Sequence, residues 1–159
     1  MIYPRLLGAD FDKLAPVLRE FHSGRSGGRA RGIASVRHAN RLLARVAGFP
    51  PVCDRLPTCL DVQADGDREV WVRMYGETPR RSVQYCERGL LVEEVGPVRL
   101  EFRVFVEGAD LRMESSSVRW RSVPVPVRVR AVERANGAGW KFEVSVSGVG
   151  DYDGVMELA

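Results

Sequence analysis

The chain has 159 residues, 45% of them hydrophobic, which suits one domain with a full core and no need for disulfide or metal staples. It has no apolar run near the roughly 20 residues that cross a bilayer as a helix, and "MIYPRLLGADFDK" lacks the basic start and long apolar stretch of a signal peptide. The expectation is a single cytoplasmic domain over residues 1–159, mildly basic at a net charge of +3, with Lys13 and Lys141 the two lysines among its 24 basic residues.

Residues 1–50 read as a helical N-terminal part. In "LAPVLREFH" Leu14, Val17, Leu18 and Phe21 recur at helical spacing, with Pro16 in the first turn, where its missing N–H costs nothing. "GRSGGRARG" reads as a loop. "SVRHANRLLARVAGFPP" reads as a second helix, capped by Ser35 and stopped by Gly48 and Pro50-Pro51, with Val36, Ala39, Leu42, Leu43 and Val46 on one face.

From Cys59 the period changes to two. Strands are expected over 59–64, 68–75, 79–86, 89–95, 98–106, 110–120, 127–134, 139–147 and 153–158, joined by short segments such as "DGD", "ERG" and "EGAD". "LEFRVFV" sets Leu100, Phe102, Val104 and Val106 on one face; "WKFEVSV" does the same with Trp140, Phe142, Val144 and Val146. The fold class is therefore mainly β (α+β): an antiparallel up-and-down meander of about eight to nine strands over 59–158, strongly curled or closed into a barrel, with two N-terminal helices.

Several chemistries find no support. His22 and His38 are the two histidines, and no metal-binding spacing occurs; no metal and no cofactor are expected. Cys53, Cys59 and Cys86 form no C-x-x-C pair and read as reduced thiols. Arg37, Arg41 and Arg45 recur every four residues within a stretch, Phe21 to Cys53, that has no acid. Such a stripe could face RNA, DNA or acidic lipid. With no aromatic residue between Phe21 and Phe49 to stack on bases, a solvated helix face is the preferred reading, so neither nucleic-acid binding nor membrane insertion is expected.

"WVRMY" poses a different problem. Trp71, Arg73 and Tyr75 share one face of a strand, and Val70, Val72 and Met74 share the other, so neither face is polar. Two rings flanking an arginine favour an inward guanidinium, with Val70, Val72 and Met74 packed under a helix of the first third. A buried charge needs a partner. In "GLLVEEV" Glu93 and Glu94 each stand in an otherwise apolar row, and Glu93 is the acceptor expected for Arg73.

The same residues carry a resemblance. "LLGADFDKLAPVLREFH" ending in His22, "GRARG", Pro50-Pro51, "WVRMY", Ser82, the Glu93-x-x-Gly96-Pro97 element, "VPVP" and Tyr152-x-Gly154-x-Met156 follow one another as in the bacterial domain-of-unknown-function family 4166, which this chain resembles over nearly its whole length. Two positions depart from that pattern: Tyr75 stands for a phenylalanine, and a later proline after "VPVP" is missing. Relatives of this kind are also fused behind dehydrogenase-like domains, and no nucleotide fingerprint occurs here. The resemblance implies no settled activity, but it implies that His22, Trp71, Arg73 and Glu93 belong together.

The functional expectation is a small-molecule-binding barrel acting as a cofactor-free catalyst of cyclase or isomerase type on a largely apolar substrate. Arg73, Glu93, Tyr75 and His22 are the candidate catalytic groups, and Trp71, Ser82, Phe102, Trp140 and Tyr152 the candidate ligand contacts. The alternatives are a non-catalytic lipid or ligand carrier and a protein-interaction domain. The expected partner is an apolar small molecule, and the expected state a monomer or homodimer.

Overall fold

A computed structural model describes residues 1–24 and 28–159. "RARGIASVRH" shows why it closes. Ala30, Ala34 and Val36 point one way and are buried, while Arg29, Arg31, Ile33 and Arg37 point the other way and are exposed, so Arg29–His38 forms strand β1. The helix expected from Ser35 is thus corrected. Its first residues continue the alternating row of Ala30, Ala34 and Val36, and pairing with strands on both sides overrides local helix preference. What remains of that helix is α3, Arg41–Val46, and its cap is Asn40, whose Oδ1 accepts from the N–H groups of Leu42 and Leu43 at 3.0 Å each. The arginine stripe dissolves with it: Arg37 is on β1, paired with Asp153, and Arg41 and Arg45 are on α3. The expected glycine-rich loop shrinks as well, since β1 begins at Arg29; Arg25, Ser26 and Gly27 lie outside the described residues.

The other strands are β2 (Cys53–Asp65), β3 (Arg68–Tyr75), β4 (Thr78–Glu87), β5 (Leu90–Val95), β6 (Val98–Glu107), β7 (Asp110–Trp120), the two-residue β8 (Val123–Pro124), β9 (Val129–Asn136), β10 (Gly139–Val146) and β11 (Gly150–Leu158). Neighbours pair antiparallel from β1 to β7; β7 then pairs with β9, β9 with β10, β10 with β11, and β11 with β1. Ten strands therefore close into a barrel, with β8 folded back on the end of β7. Among the described residues, closure through β11 and β1 removes the two long free edges of an open sheet. Two joints in it are irregular. A bulge opposite Glu101/Phe102 shifts β7, so that Val118 and Trp120 follow Leu111 and Met113 to the inside. The β7–β9 ladder is short, running from Leu111↔Glu133 to Glu114↔Arg130.

Small inward residues let the first and last strands approach closely. Gly32 faces Met156 across the β1–β11 joint, and a Cβ there would lie 1.8 Å from the carbonyl oxygen of Val155. Gly32→Ala must push the two strands apart, so it is expected to destabilise the barrel by about 2–3 kcal/mol, as overpacking does. Urea unfolding of the variant beside the parent chain measures this.

The N-terminal residues plug one end. α1 (Ile2–Leu7), a 3-10 turn (Gly8–Lys13) and α2 (Pro16–His22) bury Ile2, Tyr3, Phe11, Leu14, Leu18 and Phe21 against the inner side chains of the barrel. Each such large side chain contributes about 1.5–3 kcal/mol through lost apolar exposure. Buried Glu69 holds the plug in place: one oxygen accepts from the Ile2 N–H at 2.8 Å and the other from Trp71 Nε1 at 3.2 Å. Because the helices close an end, they do not cover the outward row Val70, Val72 and Met74, contrary to expectation. Those residues stay half-buried on the barrel exterior, with Val83 and Pro79 as the β4 partners of Val70 and Met74.

Candidate functional site

Between the plug and the open end lies a chamber of about 570 Å³. Inward residues of many strands line it, among them Trp71, Phe102, Val118, Trp140, Phe142 and Val144. Such a wall follows from the two-residue period of each strand, and its size is that of pockets that enclose a small molecule. Phe102 and Trp140, chosen from the pattern alone, both face it.

Arg73 sits in this apolar wall. Its guanidinium lies over the Trp71 ring, 4.9 Å from the centroid. Nη1 donates to Glu93 Oε1 at 3.0 Å and to Ser82 Oγ at 2.8 Å, and Ser82 donates in turn to the same carboxylate oxygen at 2.6 Å. Register explains the triangle. Trp71 faces Ser82 across β3–β4, and Gln84 faces Glu93 across β4–β5, so the ion pair spans β4 diagonally with Ser82 between its ends. The side chains of Arg73 and Glu93 keep 19% and 12% of their accessible surface. Among the described residues, hydrogen bonds from Arg73 run through Nη1 alone, which leaves the rest of the fork for a chamber occupant.

The charges here are firmly set. Burial works against the Arg73 cation, but Glu93 outweighs it and holds the guanidinium above the ordinary arginine value. Burial alone would raise Glu93; Arg73 and the Ser82 hydroxyl reverse that and keep it below the usual carboxylate value. Glu93 is therefore a fixed anion that orients Arg73, and is poorly suited to move protons. Burial also keeps the phenols of Tyr3, Tyr75 and Tyr152 above the ordinary tyrosine value, so all three are neutral donors. Tyr75 and Tyr152 stand edge to face with ring centroids 6.0 Å apart, and both line the chamber beside Arg73.

A second polar group forms the floor. Glu133, on the inward row of β9 with Val129 and Ala131, reaches the chamber and is held by His22 Nε2 at 2.7 Å. His22 stands behind it, with 1% of its side chain exposed against 13% for Glu133. His22 Nδ1 is buried without a hydrogen-bond partner among the described residues. A lone pair is cheaper to leave unpaired than an N–H, so the proton belongs on Nε2, donated to Glu133. The Tyr3 hydroxyl donates to Gln84 Oε1 at 3.2 Å, and the Tyr3 ring lies 4.1 Å from that of His22.

The structure thus sorts the expected residues into two groups that meet at Trp71, whose ring lies 6.1 Å from that of His22 and under the Arg73 guanidinium. Arg73, Glu93 and Ser82 form one cluster on the wall, with Trp71, Tyr75 and Tyr152 around it. His22 belongs to the floor, and neither it nor Ser82 is among the residues that line the chamber; each is hydrogen-bonded to a carboxylate that does, Glu133 and Glu93 respectively. Sequence reasoning missed Glu133, Gln84, Glu69 and Tyr3. Glu133 could have been found as Glu93 was, since it breaks the apolar row of Val129 and Ala131; Glu69 likewise shares a row with Trp71. Tyr3 lies in a segment whose sequence carries no periodic signal.

No curated protein and no solved structure matches the chain. A family model, described as a domain of unknown function (DUF4166), matches residues 14–148, a span that contains His22, Arg73, Ser82, Glu93 and Glu133. With most of its length accounted for in this way, the chain belongs to the DUF4166 family.

Proposed function

We propose that the barrel encloses a largely apolar small molecule bearing an anionic or carbonyl oxygen, and that it moves a proton on that molecule without a cofactor, as an isomerase or cyclase does. The observation that carries this reading is Arg73: a permanent cation, half committed to Glu93 and Ser82, facing an otherwise apolar chamber. An oxygen of the ligand takes the remaining N–H groups of the fork, and the neutral phenols of Tyr75 and Tyr152 add donors beside it. The apolar wall excludes water and holds a flexible chain in a compact shape. Glu133 is the group suited to the proton step, because it lines the chamber and His22 steadies it, whereas Glu93 is pinned by two donors.

Native mass spectrometry of the chain purified from its host should show a retained apolar molecule; a chamber that never carries one and binds none from a lipid extract overturns the reading. Incubating the retained molecule with the protein in heavy water tests the proton step. Exchange into the ligand, lost in Glu133→Gln with retention unchanged, supports catalysis. Equal exchange in both, above that of the molecule free in heavy water, moves the proton step away from Glu133; exchange in the parent chain no faster than without protein leaves a carrier.

A further inference from the structure

The two ends of the barrel differ in kind. Strand direction puts residues 39–52, 76–77, 96–97, 121–128 and 147–149 at the end opposite the plug. Large apolar side chains stand in solvent there. Leu42 is 71% exposed, Val123 63% and Val52 56%, and Leu43, Val46 and Trp120 are each more than a third exposed. Leu43, Val46 and Trp120 also line the chamber, so the exposed rim and the apolar interior are continuous. Around them stand Arg41, Arg45, Arg121 and Arg128, all exposed; Glu77 is the one acid in those segments, and exposed Arg119, Asp54 and Arg55 lie just beyond them. The plugged end is balanced, with Asp10, Asp12 and Glu20 beside Arg5, Lys13 and Arg19.

We infer that the open end docks on the surface of a bilayer containing anionic phospholipid, with Leu42 and Val123 entering the headgroup layer and the arginines resting on phosphates. The combination selects this occupant. A tryptophan and branched aliphatic side chains at a rim, with cations close behind, match the interface of a membrane, where burial of apolar area and attraction to anionic lipid act together. A second copy on the same face would bring like-charged arginine rims together. Leu42 and Val123, standing furthest into solvent, give a nucleic acid nothing to bond. Docking would serve the ligand chamber proposed above, and in that respect it rests on that reading; it is measured without any ligand.

Co-sedimentation of the full chain with vesicles tests the inference. At low salt the chain should sediment with vesicles of phosphatidylcholine doped with phosphatidylglycerol, bind pure phosphatidylcholine weakly, and be released by added salt. The triple variant Arg41→Gln, Arg45→Gln, Arg121→Gln should lower partitioning by about tenfold or more. Leu42→Ser with Val123→Ser should lower it as well, and Lys13→Gln at the plugged end should not. No sedimentation with anionic vesicles, or an unaltered triple variant, overturns the inference. So does a dimer in light scattering that the Leu42→Ser, Val123→Ser pair dissociates, which would make a second copy the occupant. Ala131→Trp, which fills the chamber, should dock as the parent does and so separates docking from ligand retention; a parent chain that binds vesicles but never retains a ligand sinks the chamber reading and leaves docking standing.

Discussion

Replacing Arg73 with methionine should destabilise the barrel by about 3–5 kcal/mol at neutral pH, because it strands the Glu93 carboxylate in an apolar wall with one hydroxyl donor. Replacing both, Arg73→Met with Glu93→Gln, should cost less than Arg73→Met alone. Urea unfolding of the two single variants and the double gives the coupling, and strict additivity would show that the pair does not interact. The pH dependence separates this from simple loss of packing. In the parent chain Glu93 is held below its reference value of 4.5, so the pair's contribution is fully present above about pH 4.5 and is lost as pH falls through the lowered value. Without Arg73, burial pushes Glu93 the other way, so the penalty is largest near neutrality and fades as acid protonates it. The gap between parent and Arg73→Met should therefore narrow on acidification; a gap that stays constant with pH would mean that the methionine merely packs badly.

Filling the chamber should abolish ligand retention. Ala131 is the small residue on the inward row of β9, flanked across the sheet by Met113 and Val144, and all three line the cavity. In Ala131→Trp the added rings occupy the open space and are covered by apolar neighbours, so stability should change by about 1 kcal/mol or less while native mass spectrometry finds the protein empty. Val144→Phe provides the same test from the facing strand should the larger ring prevent folding. Retention at the parent level in a folded, filled variant would place the ligand outside the chamber.

The meander, its strand rows and the inward direction of Arg73 were legible because alternation along a strand reports a face directly. The partner of Arg73 was legible for the same reason: Glu93 interrupts an apolar row. β1 was not, because the helical spacing of "IASVRHANRLLARV" masks the alternating row that its first residues continue, and the choice between them was made by β2 and β11, more than a hundred residues away in the case of β11. The cover over Val70, Val72 and Met74 was misjudged because a closed barrel offers each strand an outer face that needs only its neighbours. The His22–Glu133 contact joins residues 111 apart, and no local pattern announces it.

The short ladder between β7 and β9 makes the wall unequal around its circumference. β3 is paired with both neighbours along its whole length, whereas these two share a register from Leu111 to Glu114 only, and above it a single bond from the Val129 N–H to Ser115 Oγ continues the contact. Thermal breathing of the barrel should therefore concentrate at this seam, and amide protons of Val129–Glu133 should exchange with solvent sooner than those of β3, where both edges are fully laddered. On the ligand-chamber reading proposed above, this seam is where an occupant wider than the resting mouth would enter, without unfolding any of the strands that carry Arg73, Ser82 and Glu93.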